Sequence, residues 1–339
     1  AALFGASTPI SKLLLAETQP ITLAALMYLG SGFGAFLLLR IDPNREKNHV
    51  EARLQKNDLP WLAGAVIAGG IAGPILLMIS LNNTPASTAS LLLNFESVAT
   101  ALIAGLFLKE YINSKVWFSL VFITLASIIL SFNGGAWGFS LGSLGIIGAC
   151  IFWGLDNNFT RKVSAKDPLE IVLIKGLGAG IFSLILSLVT GNPLPKMIII
   201  LAALLVGAVC YGMSIALFVL SLRSLGTART GALFATAPFV GAILSLLIFH
   251  EKPTIQIYLS LPLMILGVLM LLTENHSHLH AHPVLEHEHS HSHEDMHHIH
   301  QHSHGMDLDR VHHSHLHLHQ MMEHSHAHTP DLHHRHNHF

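Results

Sequence analysis

Long apolar runs separated by short polar breaks organise the first 273 residues. A helix needs about 20 apolar residues to cross a bilayer. Ten segments approach that length: 1–16, 19–40, 60–81, 86–108, 115–132, 139–160, 168–190, 197–221, 228–249 and 254–273. Turn or charge signals bound them, as at Thr18-Gln19-Pro20, Asn82-Asn83-Thr84-Pro85, Asn133-Gly134-Gly135 and Gly191-Asn192-Pro193. The runs are too long and do not alternate, which argues against strands. The pattern predicts an all-α membrane protein. The first run starts at Ala1 without a Met, so we expect a shortened first helix and no signal peptide. Gly30/Gly34, Gly69/Gly73, Gly138/Gly142 and Gly176/Gly180 stand four apart, a spacing that permits close helix contact.

Composition sharpens this picture. Hydrophobic residues make up 51% of the chain and charged residues 11%, against roughly 25% charged in a soluble protein. Mean hydropathy is +0.53. These values exclude a soluble enzyme, a disordered chain and a nucleic-acid binder. Charge is unevenly spread. Residues 1–273 carry 16 Lys+Arg against 11 Asp+Glu, whereas residues 274–339 carry 2 against 9 and hold 25 of the 27 histidines. A membrane core is thus joined to a polar tail. Cys150 and Cys210 lie in apolar segments and read as small packing residues.

Loop charges predict orientation. With the N-terminus cytoplasmic, Arg40, Arg45, Lys47, Arg53, Lys56, Lys109, Lys115, Arg161, Lys162, Lys166, Arg223 and Arg229 face the cytoplasm, and only Lys196 and Lys252 face outward. Ten spans return the C-terminus, and so the tail, to the cytoplasm.

The core repeats itself. Residues Thr88–Phe132 and the run from Ala228 to Leu272 share one plan at an offset near 141: a polar start, an apolar helix, an acidic stop (Glu110, Glu251) and a second apolar helix. Phe4-Gly5 and Trp153-Gly154 correspond at an offset of 149, and the longer loop Asp42–Asp58 accounts for the difference. Five spans per copy is an odd number, so the copies must be inverted. Inverted repeats place a binding site near the midplane and suit alternating access. The expected units are two five-helix repeats, 1–133 and 134–273, followed by the tail, 274–339.

The same residues carry a family resemblance. Leu93-Asn94-Phe95-Glu96-Ser97 with Phe107-Leu108-Lys109-Glu110, and Ala237-Pro238-Phe239-Val240-Gly241-Ala242 with His250-Glu251-Lys252, resemble the drug/metabolite transporter superfamily in its ten-span EamA-type branch. Phe152-Trp153-Gly154 opens the second repeat in the family's manner. Ser97 departs from it, since the family often has Pro after the glutamate. The resemblance covers residues 1–273 and implies transport, mainly outward, without fixing the substrate.

Ionisable groups inside spans are costly and mark candidate sites. Glu96 lies halfway along the fourth span with Asn94, Ser97 and Thr100 nearby; it reads as a proton-coupling carboxylate, a ligand for a cationic substrate, or a neutral acid bonded to another helix. Asp156, Asn157 and Asn158 form the most polar cluster of any span, which a locally unwound helix would present to substrate or which a helix end would use for itself. Ser7, Thr8 and Ser11 around Pro9 occupy the equivalent place in the first span. Lys175 is placed to pair with Glu96 or Asp156 or to bind a substrate carboxylate. Lys12 reads as snorkelling to the surface. Tyr211 and Ser214 are candidate cavity residues. Glu110 and Glu251 read as helix-end or interface residues.

The tail is dominated by H-x-H. His276, His278, His280 and His282 begin it; His287, His289, His291 and His293 continue, then His298, His300, His302 and His304, then His313, His315, His317 and His319. With little apolar material the tail is expected to be disordered. Imidazole suits Zn, Ni, Co and Cu, so divalent metal binding is expected on the tail, with no cofactor required by the core. His287-Glu288-His289-Ser290-His291 and His293-Glu294-Asp295-Met296-His297 read H-E-x-x-H, but that motif needs a helix with an apolar back face, which this tail lacks.

The leading expectation is therefore a non-enzymatic, multi-pass transporter of the bacterial inner membrane. It would export a small metabolite or drug, with a cytoplasmic metal-binding tail. Its partners would be the lipid bilayer, a small-molecule substrate and divalent metal ions, with no nucleic acid; a homodimer remains open. Two alternatives are an exporter of the divalent metal itself, fed by the tail, and a membrane-anchored metal buffer. The spans contain no histidine pair and no cysteine cluster, which weighs against the metal-export alternative.

Overall fold

The computed structural model describes residues 1–41, 54–107, 114–132, 140–164, 166–225 and 234–272, together with four strand segments in the tail. Through residue 272 the regular elements described are helical. They are α1 (Ala2–Leu14), α2 (Pro20–Ile41), α3 (Leu59–Ala65), α4 (Gly73–Asn82), α5 (Ala86–Leu92), α6 (Phe95–Phe107), α7 (Ser114–Ser131), α8 (Leu141–Val163), α9 (Pro168–Val189), α10 (Met197–Val206), α11 (Ser214–Leu225), α12 (Ala237–Phe249) and α13 (Ile255–Leu272). Glu110 and its neighbours 108–113 lie outside the described residues.

Several of these helices join into longer rods. A π-helical segment, Val66–Ala72, links α3 to α4, and another, Gly207–Met213, links α10 to α11. Six stretches among the described residues are long and apolar enough to cross a membrane: Pro20–Ile41, Lys56–Asn82, Ala86–Leu106, Ser114–Ser131, Pro168–Val189 and Met197–Ser221. Ala237–Phe249 and Ile255–Met270 are shorter apolar helices. The 23 residues of α8 are long enough to span, at about 35 Å, but Asp156, Arg161 and Lys162 lower the hydropathy of its second half.

The helices pack in pairs that exchange the two halves of the chain. α2 lies along α9, α7 along α13, α1 along α12, and α6 along α8. In addition, α2 meets the π segment 207–213 while α9 meets the π segment 66–72. The α2–α9 crossing is close because glycines meet there: a methyl group on Gly176 would overlap the backbone of Gly32. The two π segments lie 141 residues apart, the offset at which the sequence repeats. The break between α5 and α6 at Leu93–Asn94 has a counterpart at Ala235–Thr236, 142 residues later. Serine hydroxyls inside these helices bond to the backbone one turn back, as Ser127 Oγ does to Ile123 O at 2.8 Å, which lets small polar residues sit in an apolar interior.

Four segments of the tail are paired as short strands. His276–His282 pairs antiparallel with Met322–His328, and Leu285–His291 with His313–His319. The H-x-H alternation has the strand period of two. The register sets histidine opposite histidine, as in His278↔His326 and His289↔His315. Each ladder has two strands, and such a ribbon is marginally stable alone in water. His293, His298, His300, His302 and His304 lie outside the described residues.

Candidate functional site

The break at Leu93–Asn94 creates the site. Asn94 Nδ2 turns back to Leu91 O at 3.3 Å, and Ser97 Oγ donates to Asn94 O at 2.7 Å. These local bonds compete with helix continuation. The chain restarts at Phe95, so Glu96 falls in the first turn of α6, where the helix dipole favours a negative charge.

Glu96 is met by α8. Asn157 Nδ2 donates to Glu96 Oε1 at 2.8 Å and to Thr100 Oγ1 at 3.1 Å. Thr100 Oγ1 donates to Glu96 O at 2.8 Å. Glu96, Asn157 and Thr100 are half-buried. Asn158 is buried and engaged elsewhere: its Nδ2 donates to Gly154 O at 2.8 Å and Thr100 O at 3.1 Å. It holds α8 against α6. The Asn94 side chain is also buried, and its Oδ1 has no hydrogen-bond partner.

A second polar unit lies beside the first. Lys175 Nζ contacts Asp156 Oδ1 at 2.6 Å and Oδ2 at 2.8 Å. Thr160 Oγ1 donates to Asp156 Oδ1 at 2.9 Å, and Lys175 Nζ reaches Thr160 Oγ1 at 3.2 Å. Of the partners open to Lys175 in the sequence, the structure selects Asp156. The pair neutralises itself inside the bundle.

Aromatic side chains cluster around Phe4. Phe4 stacks on Tyr211 with ring centres 5.9 Å apart and meets Trp153 edge-on at 6.2 Å. Phe234 approaches Phe4 at 4.9 Å, and Tyr28 meets Tyr211 at 5.5 Å. The Gly69 carbonyl, within the first π segment, accepts from Tyr28 Oη at 2.6 Å and Trp153 Nε1 at 3.0 Å. Offset i→i+5 bonding frees such a carbonyl from the helix ladder. A methyl group on Gly69 would overlap the Asp156 carboxylate. The π segment is thus wedged between the aromatic cluster and the ion pair. A pocket of about 270 Å³ beside the first residues of the given sequence borders Ala1, Ala2, Leu3, Ser214, Phe218 and Phe234.

The structure brings Glu96, Asn157 and Thr100 together, and separately Asp156 and Lys175. It buries Tyr211 among aromatic rings and also buries Asn94 and Asn158. Helix α8 runs unbroken from Leu141 to Val163, so of the two readings of residues 156–158 local unwinding is not the one observed; breaks fall in α5–α6 and in the two π segments. Lys12 does not snorkel away from the protein. Its Nζ donates to Leu81 O and to Thr84 O at 2.7 Å. Tyr28, Thr160 and the Gly69 carbonyl were absent from the sequence-derived candidates; the run Gly69-Gly70 followed by Gly73-Pro74 was the available signal for irregular backbone there. Among the described residues no group of three or more His, Cys, Asp or Glu side chains could hold a metal ion.

Comparison with known proteins agrees with this architecture. The profile of the EamA-like transporter family matches residues 1–132 and 140–273. An uncharacterized transporter of Methanothermobacter thermautotrophicus is 29% identical over 286 residues, covering 79% of this chain and 82% of the relative. A solved crystal structure, 17% identical, superposes with a TM-score of 0.55 over 79% of this chain and 94% of that one, a likeness of fold alone. With these matches and its apolar helices, this multi-pass integral membrane chain belongs to the EamA-like transporter family.

Proposed function

We propose that the chain is a secondary transporter that exports a small organic solute by alternating access between two inverted five-span repeats, 1–133 and 134–273. Three observations support the duplicated arrangement: the family match in two stretches, the π segments at an offset of 141, and the exchange of packing partners between halves. Inverted repeats that meet at broken helices provide a midplane site.

One observation carries the choice of site: Asn157 of the second half donates to Glu96 of the first half at 2.8 Å. A rocking motion between the halves alters this contact, so an occupant of the site senses the motion. A carboxylate within a membrane span favours an organic cation, through charge, or a proton in its place. The tail binds divalent metal from the cytoplasmic side of a bacterial inner membrane, supported by its H-x-H spacing and by the histidine-on-histidine register.

The test is uptake into proteoliposomes, screening amino acids and cationic drugs. Glu96→Gln preserves shape and removes the charge. It is expected to lower coupled transport by at least about tenfold, the effect of one lost charge-assisted contact. Transport by Glu96→Gln and Asn157→Ala at the parent rate would sink the assignment of this site.

A further inference from the structure

Two charged side chains grip the connection between α4 and α5. Lys12 Nζ donates to Leu81 O, to Thr84 O at 2.7 Å and to Asn82 O at 3.3 Å. It takes up carbonyls left open where α4 ends. Glu251 accepts from Ala86 N at 2.9 Å, from Ser87 N at 3.1 Å and from the Ser87 hydroxyl. The grips differ in origin. Lys12 belongs to the same half of the chain as the connection it holds, whereas Glu251 belongs to the other half.

The backbone places Glu251 for this role. His250, which ends α12, adopts a left-handed conformation with φ 49° and ψ 36°. That turn stops the helix and folds the next residue back toward α5. Behind the contact the seam is tight: a methyl group on Gly241 of α12 would lie 2.6 Å from Gly5 O and 2.8 Å from Ser90 Oγ. No solute passes between α1, α5 and α12 in this state.

We propose that the Glu251 carboxylate is a releasable latch between the two halves, closing the end of the bundle where α4 gives way to α5. The inference rests on the alternating-access reading above. When one half rocks against the other, Lys12 travels with residues 81–87 and Glu251 does not. Opening this end requires Glu251 to let go of Ala86 and Ser87. Glu251 is half-buried at the edge of the bundle, so water replaces its three donors on release and the latch is reversible.

The experiment measures opening without transport. Ser90 is buried on α5 against Gly241, and Ser90→Cys places a reporter thiol in the seam. The full chain in lipid nanodiscs, with both faces accessible, is labelled by a polar maleimide; the chain lacking the reporter gives the baseline from buried Cys150 and Cys210. Glu251→Ala should raise the labelling rate about tenfold or more, and Ser87→Ala by a smaller factor. Lys12→Met should raise it less than Glu251→Ala does, since it removes the charge attraction of Lys12 for Glu251 but leaves the three donors from Ala86 and Ser87 in place. An unchanged rate in Glu251→Ala and Ser87→Ala would overturn the latch. So would an equal rise in Lys12→Met, which would mark general loosening of the connection. Should Glu251→Ala fail to fold, Glu251→Gln and Ser87→Ala decide the outcome. Labelling does not depend on substrate, so failure of the latch and failure of the transport reading are separable.

Discussion

Lys175 Nζ lies 2.6 Å from Asp156 Oδ1 in a setting where Lys175 is 4% and Asp156 7% exposed. The pair joins α9 to α8, and Thr160 bonds both partners. Removing one partner from such a pair strands the other. Lys175→Met is expected to destabilise the fold by roughly 3–5 kcal/mol, because it leaves an uncompensated buried carboxylate. Adding Asp156→Asn should restore much of that loss. Thermal unfolding of the two variants in detergent, followed by size exclusion, checks both directions. Equal stability of Lys175→Met and the parent would contradict the pairing.

Gly69 sits in the π segment against the same carboxylate. Gly69→Ala should reduce the thermal midpoint sharply, because the new methyl group overlaps Asp156 and both are fixed by their neighbours. Gly178→Ala is the matched control: its nearest neighbour atom would be Val66 Cγ1 at 3.5 Å, an ordinary contact. It should be neutral or stabilising by up to ~1 kcal/mol through helix propensity. Melting curves of the two variants side by side give the answer. A harmless Gly69→Ala would mean that the π segment does not press on the ion pair.

These contacts show what was legible in the sequence. The apolar runs announced helices, because hydrocarbon-length segments leave few other choices; of the ten segments expected, six stretches of span length and two shorter apolar helices are found among the described residues. The offset of 141 was visible as shared polar and acidic landmarks, and it falls on the π segments and, within one residue, on the helix breaks. Glu96 and Asp156 stood out because charge is rare in an apolar run. The partner of Lys175 did not, since Glu96 and Asp156 were equally eligible until packing chose. Nor did the π segments, whose extra residue depends on tertiary contacts and not on local propensity. Tyr28 was hidden because a tyrosine in an apolar helix gives no sign of the backbone carbonyl it will meet. The alternation in the tail was read as disorder for want of a core, although its period is that of a strand.

The left-handed residue at the end of α12 yields a simple stability test. His250 is exposed, and its φ of 49° carries a steric penalty that glycine escapes. His250→Gly should raise stability slightly, by up to ~1 kcal/mol. His250→Val should lower it by ~1–2 kcal/mol, because a β-branched residue resists this conformation. The same pair bears on the aim of Glu251. His250→Val should also raise labelling at the Ser90→Cys reporter, whereas His250→Gly should not. Opposite ordering of the melting temperatures would show that the turn is not what holds this helix end.

Truncation after Glu274 removes 25 of the 27 histidines while leaving α1–α13 intact. The shortened protein should retain its melting temperature and its transport of an organic solute. It should lose zinc and nickel binding in equilibrium dialysis, since the described residues of the core hold no cluster of three metal-ligating side chains. Binding by the full chain should weaken on acidification, because imidazole must be neutral to ligate. Cellular content of zinc, nickel, cobalt and copper under mild metal load then separates the roles of tail and core. Cells expressing the full chain, the truncation and Glu96→Gln are compared. A change that follows tail loss alone makes the tail a buffer beside an organic-solute transporter. If the full chain lowers the content of one metal, and both the truncation and Glu96→Gln abolish that fall, the metal itself is the cargo and the proposal of an organic solute is wrong.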